Sequence, residues 1–214
     1  MAICTWGLLE EDWDALGTWT DGDTNGAASS ISPAGQLYLD CRALTGTGVA
    51  QRSKDIGTIG DGNYTVYIRF KGDVWDGAGS LGDDGLKFGI NANTFDMWII
   101  IGNQCDGSTD GIWVYDGASY VKAVTKTWDN DWHTIKIDVH NGQTDADIYV
   151  DDESSPSATD ADCTYDSAAA DGLVYIFGWG TTVGNGEYHV DYIKINSGNC
   201  NLTENRAAIL RNFI

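Results

Sequence analysis

The stretch Trp132-His-Thr-Ile-Lys-Ile-Asp-Val139 decides the fold. Apolar and polar residues alternate through it. Ile135, Ile137 and Val139 share one face of an extended chain, and Thr134, Lys136 and Asp138 share the other. At a helical period those three aliphatic residues would not share a face. Upstream, Tyr64-Thr-Val-Tyr-Ile-Arg-Phe70 and Gln36-Leu-Tyr-Leu-Asp-Cys41 alternate in the same way. Downstream, Asp147 to Asp151 and Glu187 to Ile195 repeat the pattern. The spacing therefore predicts half-buried strands along the whole chain.

Further strands are expected over 85–90, 95–101, 111–115, 119–124 and 173–179, with weaker ones over 27–32 and 49–54. Asp61-Gly62, Asp110-Gly111, Asp116-Gly117, Asn141-Gly142, Asp171-Gly172 and Asn185-Gly186 separate them. Such dipeptides supply the positive φ angles that tight hairpins need. About a dozen strands do not fit comfortably into one open sheet, so two face-packed sheets are predicted. We place one domain over residues 1–200. Residues 201–214 form a tail, in which Asn201 or Thr203 could cap a short helix with Ala207, Ile209, Leu210 and Phe213 on it.

The composition agrees with an all-β chain. The 214 residues include 27 Gly, 2 Pro, 9 Trp and 10 Tyr, and 42% are hydrophobic. Thirty-two acidic against twelve basic residues give a formal charge of −20. That field argues against nucleic acid and anionic membranes as partners, and it draws cations. The longest strongly apolar run, Met97 to Ile101, is far too short to cross a bilayer. The segment Met1 to Trp6 lacks a basic region followed by an apolar run, so no secretory signal is expected. The five cysteines, Cys4, Cys41, Cys105, Cys163 and Cys200, show no zinc spacing. They read as small buried side chains, with Cys4 and Cys200 as a conceivable bridge between the chain ends.

Three segments resemble the concanavalin A-like lectin/glucanase superfamily, especially its laminin-G-like members. These are Leu8 to Trp19, the hairpin Trp128 to Val139 with Ala146-Asp-Ile-Tyr-Val-Asp-Asp152, and the closing strand Tyr188-His-Val-Asp-Tyr-Ile-Lys-Ile195. The resemblance implies a two-sheet antiparallel jelly roll. It also implies a structural Ca²⁺ held by Asp191 together with the opening acidic loop, where Glu11 and Asp12 stand. A carboxylate in an apolar strand needs a partner, and Ca²⁺ takes six to eight oxygens. Independently of the resemblance, Asp21-Gly-Asp-Thr-Asn-Gly26 matches the first half of a calcium loop through Asp21, Asp23 and Asn25. Ser32 stands where the closing Glu belongs, so the segment also reads as a plain surface turn.

Sugars stack on exposed rings. Trp75, Trp113, Tyr115 and Trp128 are the candidate carbohydrate-binding residues: Trp75 sits in a polar loop, and Trp113 and Tyr115 share a strand face. Trp6, Trp98, Trp132 and Trp179 are expected to fill the core. Paired-carboxylate chemistry needs two acids about 5–5.5 Å apart. The 32 acids include only five glutamates, Glu10, Glu11, Glu153, Glu187 and Glu204, and none lies four or five residues from another. Nor does any of His133, His140 and His189 follow a Gln by two, the pattern of jelly-roll alginate lyases.

The expectation is thus a non-catalytic surface module of a larger assembly that recognises a polysaccharide or cell-surface glycan. It would sit on a virion or outside the cell and dock on a protein partner, or a second copy, through 201–214. A free-standing lectin, or a hydrolase or lyase with an atypical site, are the alternatives.

Overall fold

The computed structural model describes residues 7–42, 48–75, 85–92, 95–151, 154–166, 171–180 and 186–200. Fifteen strands are present among them. They run β1 (Leu9–Glu11), β2 (Thr20–Asp21), β3 (Ala28–Ile31), β4 (Leu37–Asp40), β5 (Gly48–Asp55), β6 (Tyr64–Val74), β7 (Gly85–Ile90) and β8 (Met97–Gly102). Then follow β9 (Gly111–Tyr115), β10 (Tyr120–Thr125), β11 (His133–His140), β12 (Asp145–Val150), β13 (Ala158–Asp162), β14 (Leu173–Gly180) and β15 (Glu187–Ser197). The one helical element described is a 3-10 turn at Asn141–Gln143. The tail assigned to 201–214 lies outside the described residues.

The strands form two antiparallel sheets. One has eight strands, ordered β13-β12-β11-β6-β15-β4-β3, with β1 on the other part of β15. The other has seven, ordered β10-β9-β8-β7-β14-β5-β2. The sheets pack face to face as a jelly-roll sandwich, as the alternation predicts. Ile135, Ile137 and Val139 of β11 are fully buried beside Val66, Ile68 and Phe70 of β6. Leu86, Phe88 and Ile90 of β7 join the same core from the other sheet. Each such side chain contributes about 1.5–3 kcal/mol by leaving water. The hairpin between β11 and β12 turns at Asn141 (φ 52°) and Gly142 (φ 69°), the left-handed conformations for which Asn-Gly is suited.

Two strands escape the sequence reading. β2 has two residues, and β13 is the acidic segment Ala-Thr-Asp-Ala-Asp. Both lie at sheet edges, where charge replaces an apolar stripe and so removes the signal.

Cys41, Cys105 and Cys163 are buried thiols, and Cys200 is disulfide-bonded. Cys4, the partner considered from the sequence, lies outside the described residues. Burial pushes the Cys41 and Cys163 thiols up to about 12. We therefore expect neither to be alkylated in the native protein at mildly alkaline pH, and both to react once it is denatured. Peptide mass spectrometry reads this directly; rapid native labelling of either would contradict the placement.

Candidate functional site

The outer face of the seven-stranded sheet is paved with rings. On β14 the aliphatic Val174 and Ile176 turn into the core, which leaves Tyr175, Phe177 and Trp179 on the opposite face. On β8 the buried Ile99 and Ile101 likewise leave Trp98 outside. The strand between them, β7, carries Gly89 opposite both Trp98 and Tyr175. With no side chain there, the Trp98 and Tyr175 rings approach to 5.3 Å at 31°. A Cβ on Gly89 would lie 2.7 Å from Cδ2 of Trp98. Phe177 sits 6.1 Å from Trp98 and 5.8 Å from Trp179. Trp98, Tyr175 and Trp179 are half-buried, so part of each ring faces solvent.

Lys87, also on β7, is buried under this layer with Nζ 3.9 Å from the Trp179 ring centroid. Phe177 and Tyr120 each stand 5.8 Å from the same ammonium. Such cation–π contacts fix both the lysine and the rings around it. Burial, reinforced by Tyr115 and Tyr165, pushes the Tyr120 phenol up to about 12. Burial and Asp96 also raise Tyr175. The hydroxyls on this face therefore remain neutral over the physiological range.

The aromatic residues nominated from the sequence are differently placed. Trp113 is on this face but only 1% exposed, packed with Ile100, Cys105 and Tyr120 and capped by Lys122 Nζ at 5.1 Å. Tyr115 is half-exposed in a trio with Tyr120 at 5.0 Å and Tyr165 at 4.8 Å. Trp128 is buried at 2%, its indole donating to the Gly111 carbonyl. Trp75 is half-buried; its ring stacks on Trp128 at 6.1 Å and its indole donates to the Asp129 carbonyl. Trp98, Trp179 and Trp132, expected in the core, instead are half-buried on outer faces. For Trp98 alternation assigns no face, because Met97 to Ile101 is apolar at every position. For Trp179 a signal existed: from 174 to 179, aliphatic residues take one parity and rings take the other.

The residues nominated for calcium do not converge. The register shift between Val190 and Tyr192 leaves Asp191 bulged, and Arg69 pairs with its carboxylate. Glu11 accepts hydrogen bonds from Trp13 N, Trp19 Nε1 and Lys54 Nζ. Asp12 is exposed, 3.6 Å from Lys194. Asp23 accepts from Ser29 N and Gln51 N, tying β3 of one sheet to β5 of the other. Asp21 accepts from Asp23 N and pairs with Arg52, and Asn25 occupies a left-handed turn. These carboxylates each face donors or cations of the chain itself. Among the described residues, ligand atoms converge elsewhere: at Asp73, Glu187 and His189, and at His140, Asp147 and Asp160.

This fold is that of the concanavalin A-like lectins and glucanases. The chain is similar over 90% of its length to the carbohydrate esterase of the Shiga toxin-encoding bacteriophage phi24B, at 16% identity and TM-score 0.59, covering 98% of that chain. Peanut lectin matches over 90% of this chain and 97% of its own at 10% identity and TM-score 0.60. A β-1,3-glucanase from Mycobacterium marinum matches over 88% and 97%, at 16% identity and TM-score 0.55. No family model and no curated protein sequence matches. The expectation that this chain is not an enzyme is thereby corrected. An esterase and glucanases share its architecture over nearly its full length, so sparse glutamates are no ground for excluding catalysis on this fold.

Proposed function

We propose that this chain recognises carbohydrate on the aromatic outer face of its seven-stranded sheet. The observation that carries the reading is the row of half-buried rings in which Trp98 and Tyr175 meet over Gly89 and Phe177 links them to Trp179. Sugar rings present apolar C–H faces that stack on such surfaces, and neutral hydroxyls suit their oxygen atoms. Lectins and carbohydrate-active enzymes of the same fold support the reading, and leave open to experiment whether binding serves capture or turnover. A place on a virion surface, with 201–214 as the docking segment, is part of the proposal; the bacteriophage origin of one similar structure supports it.

A panel of neutral and acidic polysaccharides in affinity electrophoresis tests the first claim. The protein should be retarded by at least one polymer, and Trp98→Ala or Trp179→Ala should weaken that retardation about tenfold, the loss of one stacked ring. Chromatography of the same mixtures reads any shortening or deacylation of the polymer. Retardation unchanged in both variants would remove the face from the proposal.

A further inference from the structure

We propose that Asp73, Glu187 and His189 form a binding site for a zinc-class divalent transition metal, on the outer face of the eight-stranded sheet. This is the opposite side of the sandwich from the aromatic face, and it does not depend on carbohydrate recognition.

Local backbone geometry builds the site. β6 and β15 are neighbours, with Glu187 opposite Val74 and Tyr188 opposite Gly72. Asp73 is the extra residue between those two pairs, so β6 bulges there. Bulges re-aim a side chain, and this one directs the carboxylate onto the neighbouring strand. Asp73 Oδ2 stands 3.1 Å from His189 Nε2. One ligand atom each from Asp73, Glu187 and His189 lies within 4.8 Å of the other two.

The surroundings hold these groups in place from outside. Lys71 binds the other Asp73 oxygen, Oδ1, at 2.6 Å. Arg42 binds Glu187 Oε2 at 3.0 Å, and Asp40 in turn holds Arg42 at 2.8 Å. The Tyr38 hydroxyl donates to Glu187 Oε1, and its ring lies 4.9 Å from the imidazole. Lys71 on one Asp73 oxygen leaves the other fixed in direction, as outer-shell partners do in metal sites, whereas Glu187 is engaged on both oxygens and a metal would take the place of Arg42 on Oε2.

The histidine is the informative member. His189 is only 7% exposed, and its Nδ1 is buried without a hydrogen-bond partner among the described residues. Asp73, Glu187 and Asp40 outnumber Arg42 and Lys71 by one charge. One imidazole nitrogen with two carboxylates suits zinc, cobalt or nickel; calcium prefers six to eight oxygens. The His140, Asp147 and Asp160 group is looser, since the Asp160 side chain is 72% exposed.

The test uses the full chain freed of metal by a chelator and then titrated with Zn²⁺ by calorimetry and with Co²⁺ by visible absorption. One ion per chain should bind, with cobalt–ligand bands in the visible. Asp73→Asn and Glu187→Gln keep side-chain shape and should each weaken binding at least about tenfold. Millimolar Ca²⁺ should not displace the ion. Absence of Zn²⁺ binding, binding unchanged in both variants, or displacement by Ca²⁺ would each overturn the proposal. Should the variants prove unfolded by circular dichroism, X-ray absorption on the zinc-loaded parent decides: an imidazole scatterer supports the site, and an all-oxygen shell refutes it.

Discussion

Gly172→Ala melts at least about 10 °C below the parent protein, or fails to fold. Gly172 adopts φ +88°, a conformation that costs an L-residue about 1–2 kcal/mol. The larger effect is steric. A Cβ on Gly172 would overlap the carbonyl oxygen of Gly57 and lie 2.6 Å from its carbonyl carbon. Backbone cannot swing aside as a side chain can. Gly172 N donates to Asn91 O at 2.7 Å, and Gly172 O accepts from Ile56 N at 2.9 Å, so yielding breaks the ladder between β5, β7 and β14. Each lost hydrogen bond adds about 0.5–1.5 kcal/mol. These terms reach about 2–5 kcal/mol before the overlap with Gly57 is counted, and each 1 kcal/mol shifts the melting temperature by about 2–4 °C in a chain of this size. Gly198→Ala is the control: its φ is +81°, but nothing lies within 4 Å of the new Cβ. It should lose only the conformational part, about 3 °C. Equal losses in the two variants, read by thermal circular dichroism, would mean that the Gly57 contact does not matter.

If the aromatic face binds carbohydrate as proposed, Gly89→Ala lowers that binding at least about tenfold. Gly89 is not in a left-handed conformation, so alanine adds no backbone strain there. What it adds is a methyl group 2.7 Å from Cδ2 of Trp98. Trp98 is half-buried on an outer face, so its ring rather than the core must shift. Its alignment with Tyr175 is lost, and the stacking surface goes with it. Affinity for any polysaccharide that the parent protein binds should fall about as far as in Trp98→Ala, by at least about tenfold. The double variant Gly89→Ala with Trp98→Ala should be no weaker than Trp98→Ala alone, because both changes act through one ring. Independent, additive losses in calorimetry would show that Gly89 matters for another reason.

The sequence by itself determined the layers. Period-two stripes such as Ile135, Ile137 and Val139 can be buried only as strands, and their number requires two sheets. Asn141-Gly142 marks the turn between β11 and β12, and Asp171-Gly172 places a positive-φ glycine just before β14. The core was legible for the same reason: alternation states which residues share a face.

Alternation cannot state which face is inward when both are apolar, nor which strands become neighbours. Only the tertiary structure put Tyr175 of β14 in one row with Gly89 and Trp98 of the consecutive strands β7 and β8. It also buried Trp113 and Trp128, which the sequence presented as equally available. The acids show the same division. Asp191 and Glu11, nominated by resemblance, and Asp23, nominated by a loop motif, have as partners Arg69, Lys54 and backbone amides that no linear spacing announces. Asp73 and His189, separated by more than a hundred residues, meet because a bulge in β6 faces β15. Side-chain periodicity is a property of one strand and survives in a linear text; pairing, register and bulges are properties of two strands, and they exist only once the chain has folded.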